Sequence, residues 1–194
     1  MSNNYEFKEK WFDFINYVPH NGQKKLHFPE QDWRFCVAVC GRRWGKSVSA
    51  SVEAQIVLSK PKKRVWCVAP TYDGSEKIFR EIWHSMVVEK GFETKRASYK
   101  DQYIEFEWGS VVEGKSADKP DSLVGEGLDL LILDEAAKIK KKTWEMYLRP
   151  TLSDRKGKAL FITTPQGFNW IYDLYLLGQK DEMWHSFNSP SYEN

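Results

Sequence analysis

The sequence predicts a three-layer α/β domain with a mainly parallel central sheet flanked by helices, and three observations carry that expectation. Apolar runs at 35–39, 128–133 and 159–163 lack polar alternation, as strands covered on both faces require. Segments suited to helices alternate with these runs along the chain. The connections between them are short, so each strand can hand over to a helix that packs back on the sheet.

Taken in order, residues 5–17 place Phe7, Trp11, Phe14 and Ile15 on one side of a helix that Pro19 ends. The strand at 35–39 is followed by a helix at 46–59, with Val48, Val52, Ile56 and Val57 as its expected buried side. A second strand at 64–69 stops at Pro70, and a second helix runs over 75–88. Tyr103 to Trp108 alternates in β fashion, Gly109-Ser110 turns, and 111–113 returns, which reads as a hairpin insertion near 103–113. A polar stretch at 116–127 precedes the strongest apolar run, 128–133, which must be a central strand. Then come a helix at 143–152, a buried strand at 159–163, a helix at 168–177 and a last strand at 184–187. One domain over 1–194 is expected, divided into an N-terminal helical segment, 1–33, and a core, 34–187. The chain carries no internal repeat and no low-complexity segment.

Composition narrows the class. A hydrophobic content of 41% with 29% charged residues is that of an ordinary globular protein and excludes fibrous or disordered classes. No run approaches the roughly 20 apolar residues needed to cross a bilayer. The polar N-terminus does not read as a secretory signal, so an intracellular protein without a membrane partner is expected. Cys36, Cys40 and Cys67 form no metal-spaced pair and read as buried thiols. A net charge of +2, from 29 basic and 27 acidic residues, says little about nucleic acid; the basic runs at 60–64 and 138–142 read as solvated loop or helix ends.

The chemistry concentrates in two places. Gly41-Arg42-Arg43-Trp44-Gly45-Lys46-Ser47 lies between an expected strand and an expected helix, the context a phosphate-binding loop needs. Backbone N–H groups of such a loop converge on phosphate oxygens, and Gly45 lets the main chain approach closely. Lys46 would reach the β and γ phosphates, and Ser47 would supply a hydroxyl to Mg²⁺. Arg42 or Arg43 could offset transition-state charge. The pattern GxxxxGK[ST] is matched imperfectly, because Cys40 occupies the first glycine position and Gly41 comes one residue late.

The second place is Asp134-Glu135, directly after the run 130–133, at the carboxyl edge where α/β sheets bind ligands. Asp134 would hold the Mg²⁺ shell and Glu135 would act as general base toward water. Thr163-Thr164-Pro165 ends the next strand, so its hydroxyls should emerge on the same edge, where they could sense the γ-phosphate or merely terminate the strand.

Together these residues resemble the ATPase domain of the large terminase subunit of tailed bacteriophages, a P-loop NTPase of the ASCE type. The likeness spans nearly the whole chain. It rests on the order and spacing of Pro19-His20-Asn21-Gly22-Gln23, the loop GRRWGKS, Ala69-Pro70-Thr71, the stretch SADKPDSLVGEG at 116–127, LLILDEA and ITTP. In that family the first glycine of the loop is often replaced, so Cys40 agrees with it.

The resemblance implies ATP as substrate with Mg²⁺, and hydrolysis that powers translocation of viral double-stranded DNA into a procapsid. It makes 1–33 the adenine-side segment, with Gln23 reading the adenine edge. Arg42 becomes the loop arginine acting on the phosphates, and Thr163, Thr164 and Pro165 couple hydrolysis to movement. It implies a portal-bearing procapsid, a small terminase subunit and a homo-oligomeric ring as partners, in the cytoplasm of an infected bacterial cell. A trans-acting arginine is expected among Arg80, Arg96, Arg149 and Arg155. Such proteins usually carry an RNase H-like nuclease domain, for which this sequence leaves no stretch, so no nuclease activity is expected of it. Two other readings fit parts of the pattern: one half of a helicase-type DNA-dependent ATPase, whose second half is missing, and a nucleotide-binding assembly module, which would not need Glu135.

Overall fold

The computed structural model describes residues 2–30 and 32–191, with side chains from residue 5 onward. Two helices come first, α1 (Ser2–Ile15) and α2 (Asn21–His27). The core then runs β1 (Phe35–Cys40), α3 (Lys46–Leu58), β2 (Arg64–Ala69), α4 (Tyr72–Ile82), β3 (Thr94–Ser98), β4 (Tyr103–Phe106), β5 (Val111–Ser116) and β6 (Leu130–Asp134). It closes with α5 (Lys141–Thr143), β7 (Lys158–Thr163), α6 (Trp170–Leu177) and β8 (Trp184–Ser189). A π-helical stretch, Trp83–Glu89, prolongs α4. The helix expected at 143–152 is a patchwork, in which α5 passes into a π turn at Trp144–Leu148 and a 3₁₀ turn at Arg149–Leu152. Pro150 is the physical reason for the tightening, since it cannot donate to an α-helical ladder.

The described strands form one sheet in the order β3-β4-β5-β2-β6-β7-β1-β8. From β5 to β8 every pairing is parallel. The expected hairpin exists as β4–β5, but it widens the main sheet: β5 lies parallel to β2 with Arg64 opposite Val111 and Ala69 opposite Ser116. The reason is that β5 extends three residues past the expected end at Glu113, to Ser116, long enough to ladder along all of β2. β3 was not anticipated. It is an edge strand whose residues are all exposed or half-exposed, so no apolar pattern announces it.

Neighbouring residues in each central strand face opposite layers, as the pleat demands. Cys36, Ala38, Cys67, Ile132, Leu160 and Ile162 pack beneath α3 and α4, with Ala50, Ala54, Leu58, Ile78 and Phe79. Phe35, Val37, Trp66, Leu131, Leu133 and Phe161 face the other layer, with Trp144, Leu148, Ile171 and Trp184. All three cysteines are buried.

Of the expected buried face of α3, Val52 and Ile56 are buried, though against Phe12 of α1, and Val57 packs on the sheet-side core; Val48 is the exception at 38% exposed, and the sheet itself meets Ala50, Ala54 and Leu58. Because α1 covers α3, that helix is buried on two sides and a single apolar stripe does not describe it. On α1 itself Phe12 is the buried anchor, whereas Phe7 and Phe14 are partly exposed.

Candidate active site

The strand order decides what meets at the carboxyl edge of the sheet. β7 lies between β1 and β6, so its last residue, Thr163, falls between the loop that leaves β1 and the acidic turn that leaves β6. The loop itself is shaped by two close approaches. Gly45 adopts φ 90°, and a Cβ there would lie 2.7 Å from Gln23 Nε2. Gly41 faces Ser191, whose backbone nitrogen would lie 2.7 Å from a Cβ. Cys40, by contrast, is the last residue of β1, in register with Ser189 of β8. Its strand backbone accepts any side chain, which is why the glycine can sit one residue late.

Lys46 begins α3, and its ammonium donates to the carbonyls of Cys40 (3.0 Å) and Gly41 (2.6 Å). Burial pushes its pKa down, with Glu135 and Asp134 among the charges that oppose this. Ser49 donates to the Gly45 carbonyl through both its backbone N–H (2.9 Å) and its hydroxyl (3.1 Å), pinning the end of the loop from within the helix.

Across the cleft, Asp134 ends β6 at 3% exposure, and its Oδ1 accepts the N–H of Glu135 at 2.8 Å. Burial raises the Asp134 carboxyl pKa, while that hydrogen bond, Lys77 and Lys46 pull it down. Glu135 takes φ 49°, a left-handed conformation that L residues adopt at a cost of about 1–3 kcal/mol. Its Oε2 is buried without a hydrogen-bond partner, and the Lys138 ammonium stands 3.4 Å away. Apart from that ion pair, this carboxylate oxygen makes no hydrogen bond within the protein.

These residues enclose one open cleft of about 420 Å³. Arg42, Arg43, Gly45, Lys46 and Ser47 line one wall; Asp134, Glu135 and Lys138 line the other; Lys77, Thr164 and Gln166 complete it. Lys77, Lys138 and Gln166 were not anticipated. Lys138 could have been found from its position three residues after Glu135, but Lys77 arrives only because α4 packs beside α3, and no sequence signal marks it.

Other expected site residues lie outside the cleft. Thr163 is buried; its hydroxyl donates to the Thr164 carbonyl (3.1 Å) and accepts the N–H of Ala137 (3.4 Å), tying the end of β7 to the turn after Glu135. Pro165 lines a neighbouring groove with Phe168 and Tyr172. The Trp44 ring is 1% exposed, edge-on to His20, with its N–H donated to Ser189 Oγ at 2.7 Å, so only its backbone can serve a ligand. Gln23 is 5% exposed, and its Oε1 accepts the N–H of His20 at 3.1 Å. Of the candidate trans-acting arginines, Arg155 binds the Lys62 carbonyl and Asp129, just before β6, at the edge opposite the cleft.

The donor set suits Mg²⁺. Ser47 and Asp134 are hard oxygen donors on facing walls, and Mg²⁺ characteristically takes one or two protein oxygens plus substrate phosphates. Among the described residues no three His, Cys, Asp or Glu side chains cluster into a metal site complete without substrate.

A family profile described as terminase large subunit, T4likevirus-type, N-terminal, matches residues 37–182. The large terminase subunit of Thermus virus P23-45 is 38% identical over 188 residues, covering 88% of this chain and 38% of that protein. That of Escherichia phage T5 is 36% identical over 165 residues, covering 83% and 37%. The chain therefore spans well under half the length of these relatives. The structure of the large terminase ATPase domain of Thermus phage P74-26 superposes with a TM-score of 0.80 at 34% identity, over 93% of this chain and 84% of that one. The loop and acidic turn thus sit in a fold shared with these proteins, and the chain belongs to the large terminase subunit family, matching its N-terminal region.

Proposed function

We propose that this chain is the ATP-hydrolysing domain of a motor that moves viral double-stranded DNA into a procapsid. One observation carries the reading: a phosphate loop and an acidic pair face each other across a single cleft, with the end of the intervening strand between them.

The loop's backbone N–H groups and the start of α3 would receive the phosphates of ATP. Lys46 would exchange the Cys40 and Gly41 carbonyls for β- and γ-phosphate oxygens, so its cationic end is stored next to where it acts. Ser47 and Asp134 would hold Mg²⁺, which when bound neutralises phosphate charge. Glu135, whose Oε2 makes no hydrogen bond within the protein and is held only by the Lys138 ammonium, would accept the proton of the water attacking the γ-phosphorus. Arg42 and Arg43, exposed at the rim, would offset charge spread over the transferring group. Gln166 and Lys77 would border the same phosphates.

Coupling follows from the hydrogen bond between Thr163 Oγ1 and the Ala137 N–H. A shift of the acidic turn during hydrolysis would be felt at Thr163, and through Thr164 and Pro165 by the surface groove beside them. The portal-bearing procapsid, the small terminase subunit, a ring of copies and the host cytoplasm complete the proposal. Among the described residues no helix is long and apolar enough to cross a membrane.

The test is ATP turnover with Mg²⁺, measured on this chain alone, with double-stranded DNA, and with DNA and portal-bearing procapsids. Stimulation that needs the complete assembly is the expected result. Turnover absent throughout would overturn hydrolysis, and turnover indifferent to DNA and procapsid would overturn the motor.

A further inference from the structure

We propose that Lys138 tells a triphosphate from a diphosphate, by exchanging its pairing with Glu135 for an oxygen of the γ-phosphate. The inference rests on the nucleotide-binding reading of the cleft.

The backbone around Lys138 is anchored on both sides. Glu135 leaves β6 in a left-handed conformation, and a 3₁₀ turn over Ala136–Lys138 follows, closed by the Lys138 N–H on the Glu135 carbonyl at 2.8 Å. Before Lys138, the Ala137 N–H is held by Thr163 Oγ1 at 3.4 Å; after it, the Ile139 carbonyl accepts from Trp170 Nε1 at 2.8 Å. Ala136 and Ile139 are both buried. The turn carries the Lys138 side chain back to the cleft, where its ammonium stands 3.4 Å from Glu135 Oε2.

The side chain itself is loosely held. It is half-exposed, and among the described residues its ammonium pairs with Glu135 alone. An ion pair so open to water is weak, and four flexible carbons let the ammonium change partners. Lys46 is the opposite case, a buried side chain tied to the Cys40 and Gly41 carbonyls on the loop side. Lys138 approaches from the acidic side. Glu135 addresses a water at the γ-phosphorus, so the phosphate nearest Lys138 is the terminal one, which ADP lacks. As the water oxygen bonds to that phosphorus, the bond to the β,γ-bridging oxygen breaks and the water's proton passes to Glu135. Lys138 neither takes nor gives a proton. By moving to the γ-phosphate it uncovers the carboxylate oxygen that receives one.

Two variants test this. Lys138→Met keeps the unbranched stem and removes the charge, whereas Lys138→Arg keeps the charge. Binding of the β,γ-imido analogue of ATP, which resists cleavage, and of ADP, each with Mg²⁺, is measured by titration calorimetry, with melting temperature followed in parallel. Lys138→Met is expected to lose about 10-fold in affinity for the ATP analogue, the value of one charge-assisted hydrogen bond, while binding ADP within about 2-fold of the parent. Lys138→Arg is expected to retain most of the parental preference for the triphosphate. Both variants are expected to melt close to the parent, because Thr163 and Trp170 hold the turn.

Equal losses for the two nucleotides in Lys138→Met, or no loss for either, would overturn the inference. So would an arginine variant no more selective than the methionine one, or a loss for the ATP analogue matched by a fall in melting temperature. A parent chain that binds neither nucleotide would instead sink the nucleotide site itself, and this inference with it.

Discussion

Helix α3 carries two charged centres about two turns apart, and they are built in opposite ways. At its start, Lys46 faces Asp134 and Glu135 across an open cleft, with one buried Glu135 oxygen lacking any hydrogen bond and the Glu135 backbone left-handed. Farther along, Glu53 is buried and paired: its Oε1 accepts from Lys8 Nζ and from His27 Nδ1, both at 2.7 Å. Lys8 also donates to the His27 carbonyl, and the Tyr17 hydroxyl meets His27 Nε2 at 3.0 Å. Burial alone would raise the Glu53 carboxyl, but the Lys8 charge and His27 overcome it and hold the pKa at about 2. The lesson is that the Glu53 charge is met by hydrogen bonds from two side chains packed on it, whereas the charges at the start of α3 stand around an open cleft with one carboxylate oxygen short of a hydrogen bond.

That contrast can be broken most sharply at the open centre. Lys46→Ala should lower triphosphate turnover by about 10²–10³-fold, the usual cost of removing a donor aimed at developing negative charge, while melting close to the parent. A phosphate-release assay at saturating ATP checks the first half and calorimetry the second. A large fall in melting temperature would mean that Lys46 belongs to the fold.

The closed centre should behave inversely. Glu53→Ala leaves Lys8 buried without its partner and should cost about 3–5 kcal/mol of stability, read from urea unfolding. Nucleotide affinity per folded molecule should change little. A smaller sharpening comes from pH. Burial lowers the His27 pKa below its ordinary 6.5, so on acidification the unfolded chain takes up that proton first and stability starts to fall below that value. Glu53 adds a second loss as pH drops from its ordinary 4.5 toward the folded value of about 2. Urea melts from neutral pH downward should show both stages, and Glu53→Ala should remove the lower one. Smallest is Trp44→Phe, which keeps the buried ring but loses the bond to Ser189 and should cost about 1 kcal/mol.

Much of the open centre was legible in the sequence, because it is punctuated by chemistry that the fold alone would not choose. Asp134-Glu135 follows four consecutive large apolar residues, and Gly45-Lys46-Ser47 starts a helix straight after a strand. The closed centre was illegible. Lys8, His27 and Glu53 lie on three helices, and in sequence each is an ordinary polar residue whose partners only tertiary packing supplies. The same holds for Lys77 at the cleft, for the alanine face of α3 and for the buried setting of Gln23. Strand β3 escaped notice for a different reason: an edge strand open to solvent has no need of an apolar alternation.

The most direct measurement of the central claim is Glu135→Gln, followed by nucleotide binding and phosphate release in the same samples. Glutamine keeps the shape of the side chain and leaves Lys46, Ser47 and Asp134 untouched, but it cannot take a proton from water. ATP should bind with affinity near that of the parent while its cleavage falls by about 10²–10⁴-fold. Cleavage at the parental rate would contradict the account and move the general base elsewhere.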